Sequence, residues 1–242
     1  MASASGWIGQ LGPRVRAVRG GLHPVSALKI AAGRHSDVRL RGVRLSGPHP
    51  RGVANTVVAV AAGEYAAPGF DISPGDRVVD VGANVGAFAV LAASRGAHVA
   101  AYEPHPGTFA HLERNTRTLG VRCVQAAVVA TAPPAGTVRL ETDPASDTRH
   151  RVGEGGIEVP AVTLAKAVGE GCDLLKLDCE GSEFELVEGT PAEAWRRVRR
   201  VACEAHPWAG DVDALAVRLE ELGFGSRVEP RGAGLALLFA RR

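Results

Sequence analysis

The chain is short of aromatic residues: Phe, Trp and Tyr together make up 5% of its 242 positions. A platform for single-stranded nucleic acid needs rings interleaved with a basic stripe, and neither is evident, so the composition argues against nucleic acid as a partner. An excess of one charge sign is missing too, with 28 Lys and Arg against 26 Asp and Glu. A net +2 is too mild to draw in a polyanion by itself. Lysine is nearly absent, and the bias toward Arg and Ala carries no mechanism. No apolar run approaches the ~18 residues of a membrane-spanning helix, so no membrane partner is expected. Cys123, Cys172, Cys179 and Cys203 lack C-x-x-C spacing, and no leader segment is expected ahead of them. They read as free thiols of a cytoplasmic protein. Repeats and low-complexity tracts are also missing.

What is present is enough apolar residue, 45% of the chain, for one substantial core and a small appendage. The run Val78-Val79-Asp80-Val81-Gly82-Ala83-Asn84-Val85-Gly86-Ala87-Phe88 is an apolar strand passing through an acidic residue and a glycine turn into a helix. A second apolar strand, His98 to Tyr102, ends in Glu103 and Pro104. This is the pattern of a βαβ unit that holds a nucleoside. A dinucleotide site needs closely spaced glycines and no carboxylate aimed at the pyrophosphate. Here the glycine spacing is G-x-x-x-G and Asp80 stands at the turn, an arrangement suited to the amino group and sulfonium of S-adenosylmethionine. Glu103 falls near the ~20-residue offset of a ribose-binding carboxylate.

Along the chain, residues 1–70 are expected to form an appendage and residues 71–242 the main domain. The appendage reads as a short helix over Val25 to Ala32 and a β-hairpin made of Val38 to Leu45, kinked at Gly42, and Val57 to Ala61. The main domain alternates strands (beginning at Val78, His98, Val121, Asp173 and Val198) with helices (Ala87 to Arg95, Pro106 to Leu119, Thr163 to Val168, Glu183 to Glu188). That alternation calls for a parallel sheet with right-handed crossovers. Thr137 to Glu141 reads as a further strand. After a helix over Val212 to Leu222, two strands joined by a short turn, Ser226 to Val228 and Leu235 to Ala240, can only pair antiparallel. The fold expected is α/β, with an antiparallel C-terminal edge hairpin.

A second constellation ends the Asp173 strand: Lys176, Asp178, Glu180 and Glu183 within eight residues, followed by Glu204 and His206 after the next strand. Both lie at the carboxyl edge of the sheet, where open α/β folds bind ligands. Strand alternation places Lys176, Asp178 and Glu180 on one side. A salt-bridged rim, with Lys176 neutralising Asp178 and Glu183 capping a helix, is the non-catalytic use of these groups.

D-V-G-A-N-V-G, Y-E-P-H-P, L-L-K-L-D-C-E-G-S-E-F-E-L and C-E-A-H-P, in this order, resemble the FkbM family of S-adenosylmethionine-dependent methyltransferases over roughly residues 64–225. The resemblance implies the seven-stranded, Rossmann-like class I methyltransferase fold and methylation of a hydroxyl on a secondary metabolite or sugar. It further implies that Asp80, Gly82, Asn84 and Gly86 hold the methionine end and Glu103, beside Pro104, the ribose. Adenine is placed near Gln125 and Ala126, and Asp178 with Glu180 at the reaction edge. Two departures stand out: Gln125 replaces a frequent acidic residue, and Thr163-Leu164-Ala165 replaces T-L-D.

Methyl transfer requires a positioned oxygen nucleophile and a proton acceptor. His206 is the favoured base, oriented by Asp178, with Glu180 and Lys176 completing the catalytic set. A divalent metal held by Asp178, Glu204 and His206 is the competing use of the same groups. The segment Asp143 to Gly156, with Arg149, His150 and Arg151, is expected to act as a lid over a small-molecule acceptor. RNA 2′-O-methylation, carboxyl or nitrogen methylation, and a non-catalytic binding role on the same fold remain the alternatives. A homodimer is left open.

Overall fold

The computed structural model describes residues 13, 15–35, 37–142, 150–231 and 235–242. Its main sheet has seven strands: β3 (Arg77–Val81), β4 (His98–Tyr102), β5 (Arg122–Val124), β10 (Leu174–Leu177), β11 (Arg200–Ala205), β12 (Gly225–Pro230) and β13 (Ala236–Arg241). They lie in the order β12-β13-β11-β10-β3-β4-β5. β5, β4, β3, β10 and β11 are mutually parallel, whereas β13 runs antiparallel to both β11 and β12. This is the expected α/β sheet with its antiparallel edge. The chain leaves β3 toward β4 and β5 and returns as β10 on the other flank, so the strand order reverses between β3 and β10.

Alternation along these strands builds two cores. Val78 and Leu174 face one cluster, while Val79, Val81, Leu175 and Leu177 face another that contains the fully buried Trp195. Helices cover both faces, as a parallel sheet requires. They include α3 (Ala87–Ala93), α4 (Pro106–Thr116), α5 (Leu164–Val168), α6 (Glu183–Gly189), α7 (Ala192–Trp195) and α8 (Val212–Glu221). Their starts are encoded locally: His105, Thr163 and Asp211 accept hydrogen bonds from the first-turn amides of α4, α5 and α8.

The N-terminal segment departs from expectation in one element. Helix α1 (Pro24–Ala31) is where the pattern placed it, but β1 (Val38–Leu40) and β2 (Val43–Leu45) pair with each other. Arg41 and Gly42 both have positive φ, at 50° and 83°, the geometry of a two-residue hairpin turn. Residues 57–61 are not its second strand; they belong to α2 (Pro50–Ala61). Val53, Ala54, Val57, Val60 and Ala61 are buried at helical spacing, and Pro50 opens the first turn. The β-branched valines suggest a strand, but their packing against the core overrides that preference. These residues share one hydrophobic cluster with Val78, Phe88 and Phe239, so the apolar core continues across residue 70.

A second sheet was not foreseen. β6 (Ala127–Val129), β9 (Ile157–Thr163), β7 (Thr137–Thr142) and β8 (His150–Gly153) form a four-stranded sheet in that order. The expected lid is therefore strand over residues 150–153, and its residues 143–149 lie outside the described residues.

Asn115 ties the hairpin to the main domain. Its side chain accepts from Ser46 N at 3.0 Å and donates to Ser46 O and Val85 O, both at 2.8 Å. Asn115→Ala leaves these groups buried without partners and is expected to lower stability by about 1–3 kcal/mol. Urea unfolding checks this, and a loss below about 0.5 kcal/mol would contradict the tie.

Candidate functional site

The site forms where β3 and β10 end side by side. Asp80 and Lys176 are register partners on these strands. Lys176 Nζ lies 3.0 Å from Asp80 Oδ1 and 3.4 Å from Asp178 Oδ2, and it donates to Gly82 O at 2.7 Å. Asp80 is fully buried. Burial raises its pKa, opposed by Lys176. Burial alone would lower the lysine, but Asp80 and Asp178 raise it above its ordinary value. Lys176 is therefore a charged structural clamp and not a base. The strands approach so closely that a Cβ on Gly82, where φ is 71°, would sit 1.8 Å from Asp178 O. Only glycine fits there.

A cavity of about 500 Å³ opens above this pair, walled by Gly82, Asn84, Glu103, Pro104 and Ala126, and also by Lys176 and the acidic edge. Three expected cofactor residues stand apart from it. Asp80 ends against Lys176 instead of facing the cavity, and Gln125 is not part of the wall. Gly86 starts α3 with φ 89°, and a Cβ there would lie 2.8 Å from Leu112 Cδ1, so its role is packing.

Glu103 is 5% exposed and accepts from Asn84 N at 2.9 Å and His105 N at 3.0 Å. Burial pushes its pKa up to about 7, although these two donors pull it down. Each carboxylate oxygen keeps a further lone pair for a ligand.

The acidic edge brings Asp178, Glu180, Glu204 and His206 together on the cavity wall. His206 is not the neutral base that was expected. It is 4% exposed, its Nδ1 hydrogen-bonds Glu183 Oε1, and its Nε2 lies 3.7 Å from Glu180 Oε2. Burial would lower its pKa, but Glu183 outweighs that and raises it to about 9. At neutral pH the ring is an imidazolium with no lone pair to offer. Glu183 does more than cap α6, since its carboxylate is fully buried and also accepts from Gly181 N at 2.8 Å. The group whose ligand atoms converge within 4.8 Å is Asp178, Glu180 and His206; Glu204 is outside it. A divalent ion there would first have to displace the His206 proton.

Two contributors escaped the sequence reading. Tyr65, in the segment ahead of β3, is buried, with its hydroxyl 2.9 Å from Asp178 Oδ2 and 3.2 Å from Glu204 Oε2. The phenol hydroxyl therefore bridges the two carboxylates. Glu64 beside it also lines the cavity, and burial with Glu204 and Asp178 nearby raises its pKa to about 7. Burial likewise raises Glu180 to about 7 and raises Glu204. No local motif connects residue 65 with 178 or 204.

Among the described residues, five carboxylates thus face one cavity with only Lys176 and His206 as cations. The set fits a nucleoside carrying positive charge: Glu103 offers paired acceptors suited to vicinal hydroxyls, and the surplus negative charge suits a sulfonium and an ammonium.

The raised carboxylates fix a direction of pH dependence. Glu64 and Glu103 titrate near 7 in the fold against 4.5 for an unperturbed Glu, so between these values the folded state binds more protons than the unfolded one. Stability then falls as pH rises through that window, and His206 continues the fall from 6.5 to about 9. The ligand-free protein is expected to show a melting temperature that declines from about pH 5.5 to about pH 8.5. Calorimetry giving a flat or rising profile would contradict these assignments.

A profile of the Methyltransferase FkbM domain matches residues 80–225. Among similar proteins, the 31-O-demethyl-FK506 methyltransferase FkbM of Streptomyces tacrolimicus is 30% identical over 200 residues, covering 66% of this chain and 76% of that protein. The hexuronic acid methyltransferase AglP of Haloferax volcanii is 30% identical over 138 residues, 54% of this chain and 56% of that protein. In fold, the chain is similar to the METTL16 MTase domain, with a TM-score of 0.51 at 14% identity, covering 90% of this chain and 78% of that one.

Proposed function

The chain belongs to the FkbM family of S-adenosylmethionine-dependent methyltransferases, and from that premise we propose that it methylates a hydroxyl of a small-molecule acceptor in natural-product or sugar biosynthesis. The observation that carries this reading is the single cavity whose wall holds both Glu103 and the Tyr65-linked pair Asp178 and Glu204. Two relatives bear names that describe a demethylated 31-O position and a hexuronic acid, which supports an oxygen-rich acceptor. The four free cysteines support a reducing, cytoplasmic setting.

Bound S-adenosylmethionine supplies a methyl group on a sulfonium, an already good leaving group. The protein's own residues must hold the acceptor oxygen in line and accept its proton. Glu103, Asn84, Gly82, Pro104 and Ala126 form the cofactor wall, with Asp80 and Gly86 supporting the turn from beneath. Asp178 is held at Oδ2 by Lys176 and Tyr65, which leaves Oδ1 for the acceptor hydroxyl. The proton acceptor is this carboxylate edge, with the His206 imidazolium balancing its charge.

Glu103→Ala is expected to weaken S-adenosylmethionine binding by about 30- to 1000-fold, the loss of two charge-assisted hydrogen bonds. Calorimetric titration reads this, and unchanged affinity in a folded variant would remove Glu103 from the site.

Tyr65→Phe keeps the ring that packs edge-on against Phe88 at 5.4 Å and deletes only the hydroxyl. Methyl transfer should fall about 10- to 100-fold with cofactor affinity unchanged. Equal turnover would show that the bridge to Asp178 and Glu204 is dispensable.

The function itself is tested by incubating enzyme and S-adenosylmethionine with hydroxyl-bearing acceptors, among them 31-O-demethyl-FK506 and a hexuronic acid glycoside, with and without chelator. The expected product carries one added methyl on oxygen and forms in chelator. Methyl on nitrogen or on a carboxylate would overturn the hydroxyl assignment, and loss of turnover in chelator would restore the metal reading.

A further inference from the structure

Charge is divided unevenly along this chain. Residues 1–60 hold nine Lys and Arg against one acidic residue, Asp37, while the remaining 182 hold 19 against 25. The mild net charge conceals a strongly basic segment attached to an acidic body. The cations of that segment gather on the surface. Lys29, Arg39 and Arg44 all converge on Asp37, at 3.1, 3.6 and 3.3 Å, so one carboxylate faces three cations. Arg41, at the tip of the β1–β2 turn, is exposed beside them.

The same surface carries apolar side chains that water does not favour. Helix α1 docks through Ser26 and Ile30, which are buried. Val25 and Leu28, at i and i+3 on its outward face with Lys29 next to them, are 51% and 71% exposed. An ordinary surface helix presents polar groups there. Apolar side chains rimmed by Lys and Arg are the composition of a surface that lies in a lipid headgroup layer. The arginines match anionic headgroups, and Leu28 and Val25 match the acyl boundary beneath them.

The position also fits the chemistry of the site. Ile30 of α1 and the exposed Arg16 line a second cavity of about 520 Å³, whose wall includes Asn55, Ala59 and Glu64. Those three residues also line the first cavity. The second cavity, beside the basic face, therefore shares a wall with the cavity that holds the acidic edge.

We propose that α1 and the β1–β2 hairpin form a docking surface for an anionic phospholipid membrane. The protein lies on the membrane and does not cross it: no helix among the described residues is long and apolar enough to span. This departs from the expectation of no membrane partner, which rested on the missing span alone.

The test is co-sedimentation of the full chain with vesicles of phosphatidylcholine, alone or with about 30% phosphatidylglycerol, at about 0.1 M salt, where the Debye length is ~10 Å. Binding is expected to the anionic vesicles only, and to fall steeply at about 0.5 M salt. Each arginine at the surface is worth about fivefold, so Arg39→Gln with Arg44→Gln should weaken binding about 25-fold while S-adenosylmethionine affinity stays unchanged. Leu28→Ser should weaken it several-fold by itself, which keeps the proposal testable if the arginine pair proves necessary for folding. Absence of binding to the anionic vesicles, equal binding to neutral ones, or indifference to both variants overturns the proposal. Tighter binding to a short RNA duplex than to anionic vesicles at the same salt overturns it in favour of nucleic acid.

Discussion

The ion pair between Lys176 and Asp80 holds the whole site in place. It sits, almost without solvent contact, between the two strands where the sheet order reverses. A buried pair of this kind gains little over a well-packed apolar pair, but losing one partner strands a charge at a cost of about 3–5 kcal/mol. The pair is therefore a strict constraint. Because Lys176 also bonds Gly82 O and Asp178, one ammonium sets the turn after β3, the end of β10 and the first residue of the acidic edge. The floor of the cavity is rigid because its charges cannot separate.

Above that floor the balance is reversed. Glu64, Glu103, Glu180 and Glu204 all titrate above their ordinary range, with burial as the leading cause in each. Without a ligand, protons serve as counter-ions to a cavity built with too many carboxylates. A cationic ligand can replace those protons, so the energy of crowding the carboxylates becomes affinity for positive charge. His206 belongs to this balance as a cation, held by Glu183. A catalytic base was the natural reading of a histidine after a strand, and it fails because of a partner 23 residues earlier.

The parallel strands β3, β4 and β10 were legible because each is a short, mostly apolar run followed directly by Gly82, Glu103 or Asp178, a pattern that needs no tertiary context. Helix α2 was misread because valine favours strands locally, and only the burial of Val53, Val57 and Val60 on one side decides for helix. β9 was missed because Pro160 lies inside it and normally argues against a strand. Pro160 is tolerated at the end of the β7 ladder, opposite Thr137, where β7 begins. The part of the cavity wall formed by Gly82, Asn84 and Glu103 was readable because these residues lie within one βαβ unit. The part around Tyr65 was not, because Tyr65 meets Asp178 across 113 residues and Glu204 across 139.

That separation bears on how the family's acceptors can differ. The residues that match the family begin at 80 and include Glu103, Asp178, Glu180 and Glu204. Asn55, Glu64 and Tyr65 lie ahead of that stretch and reach the same cavity from α2 and the segment following it. Gly82, Asn84 and Glu103 are set by the sheet and its turns, whereas this wall is delivered by α2, whose buried valines share a core with Val78 of β3 and Leu174 of β10. A shared fold carries different functions through the residues grafted onto it. The packing of Val53, Val57 and Val60 into the main core then has a functional consequence: it holds Tyr65 between the two carboxylates. The cavity wall of this chain is thus built partly outside the segment that defines its family.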